Sequence, residues 1–231
     1  SPNVDPKRVG FAGFCVGASL SLIAAADPRI SSDVKFVNFF GGYFSARDLV
    51  AAMTTHQVRL DGDVEPWEPN ADAERWLAEQ LINTVPGAEE RVLLTRSARS
   101  AGASEAERTA MSIQGQVVYD VLANRDPNRA GAYYGHLPLR VRETLAQLSP
   151  ENQLDWLQAK VYIMDDRYDT YIPYVESHRL WQALALYPRK QFTEFALFKH
   201  MYPNLAAEPG VFISDAPKLF SHLYLLMLEM N

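Results

Sequence analysis

The chain's only cysteine, Cys15, stands at the centre of Gly13-Phe14-Cys15-Val16-Gly17, between a strand-like run and a helix-like run. A cysteine so placed offers one chemistry above others: as a thiolate it attacks an acyl carbonyl. A free thiol has a pKa near ~8.5, so it needs a base to take its proton and a third group to orient that base. Glycines two residues to either side let strand and helix approach closely and aim the side chain out of the turn. A lone cysteine is also a small apolar residue that cores bury readily, so the turn alone leaves both readings open. The partners must come from elsewhere in a chain that holds five histidines and 28 acidic residues.

The elements that would position these groups follow from apolar patterning. Arg8 to Phe14 reads as a strand and Val16 to Ala26 as a helix closed by Asp27-Pro28. Val34 to Phe40, rich in β-branched and aromatic residues and ended by Gly41-Gly42, reads as a second buried strand, so strand, helix and strand make a parallel pair. Gly41 and Gly42 end that strand and are assigned no chemistry.

From about Ser45 to Ser149 the sequence turns to helices with polar faces. Asp72 to Asn83 can be helical, and Ser104 to Glu107 has the form of a capping box. The helix it opens would place Ala110, Ile113, Val117 and Val121 on one face. Sheet-like sequence resumes directly afterwards, which favours an insertion, in the manner of a lid, over a separate helical domain. Trp67, Trp76, Tyr133 and Tyr134 would line an acyl pocket there or form the insertion's own core.

The sheet resumes at Lys160 to Met164. Pro173 can open a helix with Leu180, Ala183, Leu184 and Tyr187 on one face and Pro188 at its end. A last strand covers Gln191 to Phe198, and a final amphipathic helix puts Leu219, Phe220, Leu223, Leu226 and Met227 on one side. The organisation is a core of residues 1–44, a helical lid insertion of 45–149 and a resumed core of 150–231.

Asp169-Thr170-Tyr171-Ile172-Pro173 after the resumed strand, and His200 straight after the last strand, give the chain a resemblance to the α/β-hydrolase superfamily. In that family an acid, two residues, Ile or Val and Pro follow the seventh strand, and the histidine follows the last strand. The order nucleophile, acid, histidine is also the family's. The resemblance covers most of the chain outside the insertion and implies an α/β-hydrolase type fold, a mostly parallel sheet flanked by helices. It implies a catalytic triad of Cys15, Asp169 and His200, with Asp165 and Asp166 as alternative acids. His56, His136, His178 and His222 are read as surface histidines. His200 would take the thiol proton, Asp169 would hold the imidazole's other nitrogen, and the backbone N–H of Val16 would donate to the oxyanion at the helix's positive end. Cysteine at the elbow is similar to dienelactone hydrolases, which points to a lactone, an activated ester or a thioester.

The sequence departs from the family pattern in places. Met164-Asp165 stands where His-Gly is common, Lys199 precedes the histidine in place of glycine, and Ala18 follows Gly17. The four strands that precede the nucleophile in the family, with the loop supplying the second oxyanion donor, have no counterpart before Val9. The expectation is that a longer polypeptide or a second chain completes the sheet beside Val9 to Phe14. The rival reading is an inactive binding or assembly subunit on the same fold, with Cys15 vestigial.

Composition sets outer limits. The 231 residues are nearly half apolar, enough for a sizeable core, and the formal charge is −6 without a dense Lys/Arg cluster, which argues against nucleic acid and anionic membranes as partners. A small acyl substrate is the expected partner. One cysteine forms no internal disulfide, which fits a reducing, cytoplasmic location. No apolar run reaches membrane-span length, no cofactor is implied, and the histidine spacings suggest no metal.

Overall fold

The computed structural model describes residues 9–99, 102–204 and 206–230. They fall into two compact units, one formed by the chain up to Ala46 together with the stretch from Gln147, the other by Arg47–Ala146. The chain opens with β1 (Val9–Phe14), α1 (Val16–Ala25) and β2 (Val34–Phe40). It runs on through α2 (Ala46–Thr55), a hairpin of β3 (Gln57–Leu60) and β4 (Asp63–Pro66), and then α3 (Ala71–Asn83), α4 (Ala88–Arg99), α5 (Glu105–Ala110), α6 (Ile113–Ala123), α7 (Ala130–His136) and α8 (Leu139–Gln147). The first unit resumes with β5 (Lys160–Asp166), α9 (Val175–Ala183), β6 (Lys190–Phe195), β7 (Phe198–Lys199), β8 (Tyr202–Pro203) and α10 (Pro209–Glu229). Arg8, assigned to the first strand from sequence, lies outside the described residues.

Strands β1, β2, β5 and β6 form one sheet in that order, every pair parallel. Nearly every residue of the two central strands is buried, because both their faces are covered. On one face, Val37, Phe39, Val161 and Ile163 pack with Ala18, Leu22 and Ala25 of α1 and Leu180 of α9. Burying each such large side chain contributes about 1.5–3 kcal/mol. On the other face, Phe36 and Tyr162 meet Leu226 of α10, and Phe40, Met164 and Phe195 meet Leu219. Strand β1 is an edge: among the described residues it pairs with β2 alone, and Phe14 is 50% exposed.

Helix α10 does not pack as its apolar pattern suggests. Its inward stripe carries Asp215, His222 and Leu226, while Phe220, Leu223 and Met227 are exposed. Polar ties hold that stripe to the core. Asp215 Oδ2 accepts from the Ala196 N–H (2.6 Å), and Glu229 Oε1 accepts from Lys160 Nζ (2.9 Å) and Tyr162 OH (2.8 Å). His222 bridges Asn38 Oδ1 through Nε2 (3.0 Å) and Thr193 Oγ1 through Nδ1 (2.8 Å). These partners fix the tautomer: Nε2 donates to the carbonyl oxygen of Asn38 and Nδ1 accepts from the threonine hydroxyl. Against the expectation that no run reaches span length, α10, with 21 residues, is long and apolar enough to cross a membrane by length and composition.

Other departures have local causes. The helix expected to run on from the capping box breaks after Ala110, because Ser112 caps a new helix by accepting from the Gly115 N–H at 3.1 Å. The buried residues of α6 are therefore Gly115, Val118 and Val121, and Ile113 is 84% exposed. The hairpin β3–β4 turns on Asp61-Gly62 with φ of 53° and 95°, the backbone an Asp-Gly two-residue turn favours. Helix α9 stops at Ala183, which is exposed, although Leu180 and Leu184 are buried. The expected last strand breaks at Ala196-Leu197 into β6 and β7.

Candidate active site

Cys15 occupies the turn between β1 and α1 with φ 54° and ψ −135°, a conformation that costs an L-residue on the order of 1–3 kcal/mol. The surroundings hold it there. Its N–H donates to the Phe40 carbonyl (2.9 Å) and its own carbonyl accepts from the Ala18 N–H (2.9 Å). Gly13 is required by the close approach of strand and helix, since a Cβ would lie 2.5 Å from Ala18 Cα and 2.6 Å from the Gly17 carbonyl oxygen. Gly17 has no such duty: a Cβ there would meet nothing within 4 Å, so the symmetrical role expected of the two glycines holds for Gly13 alone. Val16 is the first residue of α1, and its N–H is one of the four that have no acceptor within the helix.

Asp169 and His200 come together from two loops. Asp169 Oδ1 accepts from the N–H groups of Tyr171 (2.7 Å) and Ile172 (3.1 Å), which leaves Oδ2 to meet His200 Nδ1 at 2.7 Å. Their side chains are 1% and 4% exposed, and the Tyr171 ring stacks on the imidazole at 4.6 Å. His200 begins the two-residue turn between β7 and β8 with φ 59°, a conformation glycine adopts freely and histidine does not. Gly41, at φ +58°, faces the pair: a Cβ there would stand 3.3 Å from Asp169 Oδ2 and 3.8 Å from His200 Nδ1.

Burial works against a charged His200. The hydrogen bond to Asp169, a hydrogen bond with Cys15 and the negative charges of both outweigh it, and the imidazole is raised from 6.5 to about 9. With Nδ1 committed to Asp169, the nitrogen left to face the sulfur is Nε2. Cys15 also acts on Tyr43, whose hydroxyl is pushed up to about 12, first by burial and then by the charge on Cys15. Tyr43 OH donates to the Leu148 carbonyl (3.0 Å), and its own carbonyl accepts from Ser19 Oγ (2.7 Å).

The alternative acids are held elsewhere. Asp165 and Asp166 are buried on β5, each with Oδ2 lacking a hydrogen bond among the described residues. Burial raises both, Asp165 well above the carboxylate range and Asp166 to about 7, and neighbouring carboxylates add to the effect. Of the histidines read as surface residues only His136 is exposed. His56 and His178 are half-buried against Glu74 and Glu194, and His222 is 1% exposed. Burial lowers His222 to about 4.

Gly41, Tyr43 and Tyr171 were not singled out as site residues. Gly41 ends a strand like many glycines, and no local spacing marks the two tyrosines.

A cleft of about 490 Å³ lies beside the acid and histidine loops, lined by Tyr168, Thr170, Ala196, Phe198, Lys199 and Asn204. A larger one of about 830 Å³ lies within the helical unit, lined by residues including Leu77, Leu94 and Tyr119, and none of Trp67, Trp76, Tyr133 and Tyr134 lines it.

No family model and no curated protein matches this chain. Solved structures do. A point variant of the rice cell wall degrading esterase LipA from Xanthomonas oryzae matches with a TM-score of 0.50 and 8% identity, over 97% of this chain and 59% of that one. A meta-cleavage product hydrolase from Pseudomonas fluorescens IP01 matches with a TM-score of 0.43 and 13% identity, over 98% and 66%. An alpha/beta fold family hydrolase from Bacillus anthracis str. Sterne matches with a TM-score of 0.41 and 18% identity, over 93% and 66%. The likeness is one of fold, and the fold class is the α/β-hydrolase type expected from the sequence. The chain spans 66% of the length of the latter two structures.

Proposed function

We propose that this protein is a hydrolase that cleaves a carboxylic ester, lactone or thioester through Cys15, His200 and Asp169. The observation that carries the reading is the 2.7 Å contact of Asp169 Oδ2 with His200 Nδ1, beside a cysteine held at a strained strand-to-helix turn. A positively charged imidazole beside the sulfur is the condition under which a cysteine holds a reactive thiolate. The thiolate attacks the acyl carbon, forming an S–C bond, and negative charge collects on the carbonyl oxygen, where the Val16 N–H donates to it. The tetrahedral adduct collapses, the bond to the leaving oxygen or sulfur breaks, and His200 Nε2 gives that atom its proton. Water, deprotonated by His200, then attacks the thioester and releases the acid and the thiolate.

Among the described residues strand β1 pairs on one side alone, next to this site, and exposed parallel edges are normally covered. Part of the same reading is that a further segment or a second chain adds there and supplies a second oxyanion donor. Residues 45–149 are assigned the role of lid, so replacing them by a short linker should change acyl-chain preference.

The experiment is intact-protein mass spectrometry during turnover of p-nitrophenyl esters, a lactone and an acyl thioester. An acyl mass on Cys15, absent in Cys15→Ala, is expected. Rates in Asp169→Asn and His200→Gln should fall on the order of 10²–10⁴-fold. Equal rates in wild type and Cys15→Ala, with no adduct on any substrate, would leave the inactive binding subunit as the function.

A further inference from the structure

We infer that Asp165, His178 and Glu194 form a binding site for a divalent metal ion, with zinc the ion their donor set fits. No spacing along the chain announces it, because the three residues come from three elements. Asp165 and Glu194 are register partners on the neighbouring strands β5 and β6, so their carboxylates stand side by side on one sheet face. Helix α9 carries His178, whose Nε2 lies 2.8 Å from Glu194 Oε2. One ligand atom from each residue falls within 4.8 Å of the others. In a tetrahedral site with metal–ligand bonds near ~2.1 Å the donors stand about 3.4 Å apart. The observed spacings, 2.8 Å between His178 Nε2 and Glu194 Oε2 and within 4.8 Å across the group, bracket that value.

The second observation is independent of the clustering. Asp165 is 1% exposed, and its Oδ2 makes no hydrogen bond among the described residues. A buried polar atom left unpartnered costs about 1–3 kcal/mol, and natural proteins rarely leave one without a reason. A metal ion is such a reason. One neutral imidazole and two carboxylates balance a charge of +2. His178 and Glu194 keep 29% and 37% of their side-chain surface exposed, which gives the ion a path in and leaves room for a water as fourth ligand. The His178 ring is held edge-on by Tyr174 (5.4 Å) and Phe192 (5.0 Å), which limits its rotation. Asp165 lies four residues before Asp169, so the ion would join β5, β6 and α9 at the root of the acid loop. These residues would act as positioning residues for that loop.

The test is zinc titration by calorimetry of the full chain, stripped with EDTA, in a Cys15→Ala background so that the thiol cannot contribute. One equivalent of zinc is expected, with a rise of several degrees in the unfolding midpoint. His178→Ala and Glu194→Gln should abolish the one-to-one isotherm and Asp165→Asn should weaken it at least tenfold, while His136→Ala should leave it intact. If a cluster variant fails to fold, cobalt added to the Cys15→Ala chain serves in its place, since a low-coordinate site with a histidine gives visible absorption. Absence of one-to-one binding, or a stoichiometry that survives His178→Ala, overturns the inference and leaves Asp165 as a buried neutral acid.

Discussion

Cys15 and His200 share a positive φ: the angles are 54° and 59°, and they are the two non-glycine residues of the sheet-bearing unit with positive φ among those described. Strain of this kind persists only where the surroundings over-determine it. Here the flanking elements do so, α1 and β2 for the cysteine and the β7–β8 turn for the histidine. The two residues proposed to react are thus placed by their backbones.

The charge on His200 gives the first prediction. An imidazole raised from 6.5 to about 9 contributes stability that is fully present below pH 6.5 and is lost as pH rises through about 9. The His200 ring proton should titrate by NMR with a midpoint near 9, and Asp169→Asn should lower that midpoint. A wild-type midpoint at 6.5 would contradict the arrangement.

Gly13 and Gly17 flank the nucleophile symmetrically in sequence and unequally in space. Gly13→Ala forces a methyl group against backbone atoms of Gly17 and Ala18 and should destabilise by about 1–3 kcal/mol or prevent folding. Gly17→Ala, at an open helical position, should be neutral or stabilise by up to ~1 kcal/mol. Thermal unfolding of the two variants should separate them by several degrees. Equal melting temperatures would refute this difference.

Gly41→Ala puts a methyl group 3.3 Å from Asp169 Oδ2 at a φ of +58°. The carboxylate must give way, loosening its hold on Nδ1. The expected result is a downward shift of the His200 titration midpoint with the fold retained by circular dichroism. An unchanged midpoint would mean that the pair is set without help from this strand end.

His222 governs the acid limb. Its pKa is lowered from 6.5 to about 4, so its contribution is present above pH 6.5 and is lost as pH falls through about 4, up to ~3 kcal/mol in all. Urea midpoints measured from pH 7 to 4 should fall more steeply for wild type than for His222→Gln, which is expected to be the less stable at pH 7. Parallel acid limbs would assign the loss to other groups.

The three proposed catalytic residues were legible because each sits beside strong punctuation: glycines around Cys15, Ile172-Pro173 after Asp169, and a strand end before His200. Gly41, Tyr43 and Tyr171 were not, since only the parallel sheet and the folded loops bring them near. The facing of α10 was misread for a different reason. Hydropathy periodicity locates the most apolar stripe of a helix, and in α10 the buried stripe is the one with Asp215 and His222. Each has its polar demand met by the core, Asp215 through the Ala196 N–H and His222 through Asn38 and Thr193.

Asp215, His222 and Glu229 are spaced seven residues apart, about 10.5 Å per step along the axis. They act like the pins of a key. A slide of α10 by one turn would withdraw all three from these partners at once. The helix therefore has a single seat, and it leaves that seat completely or not at all.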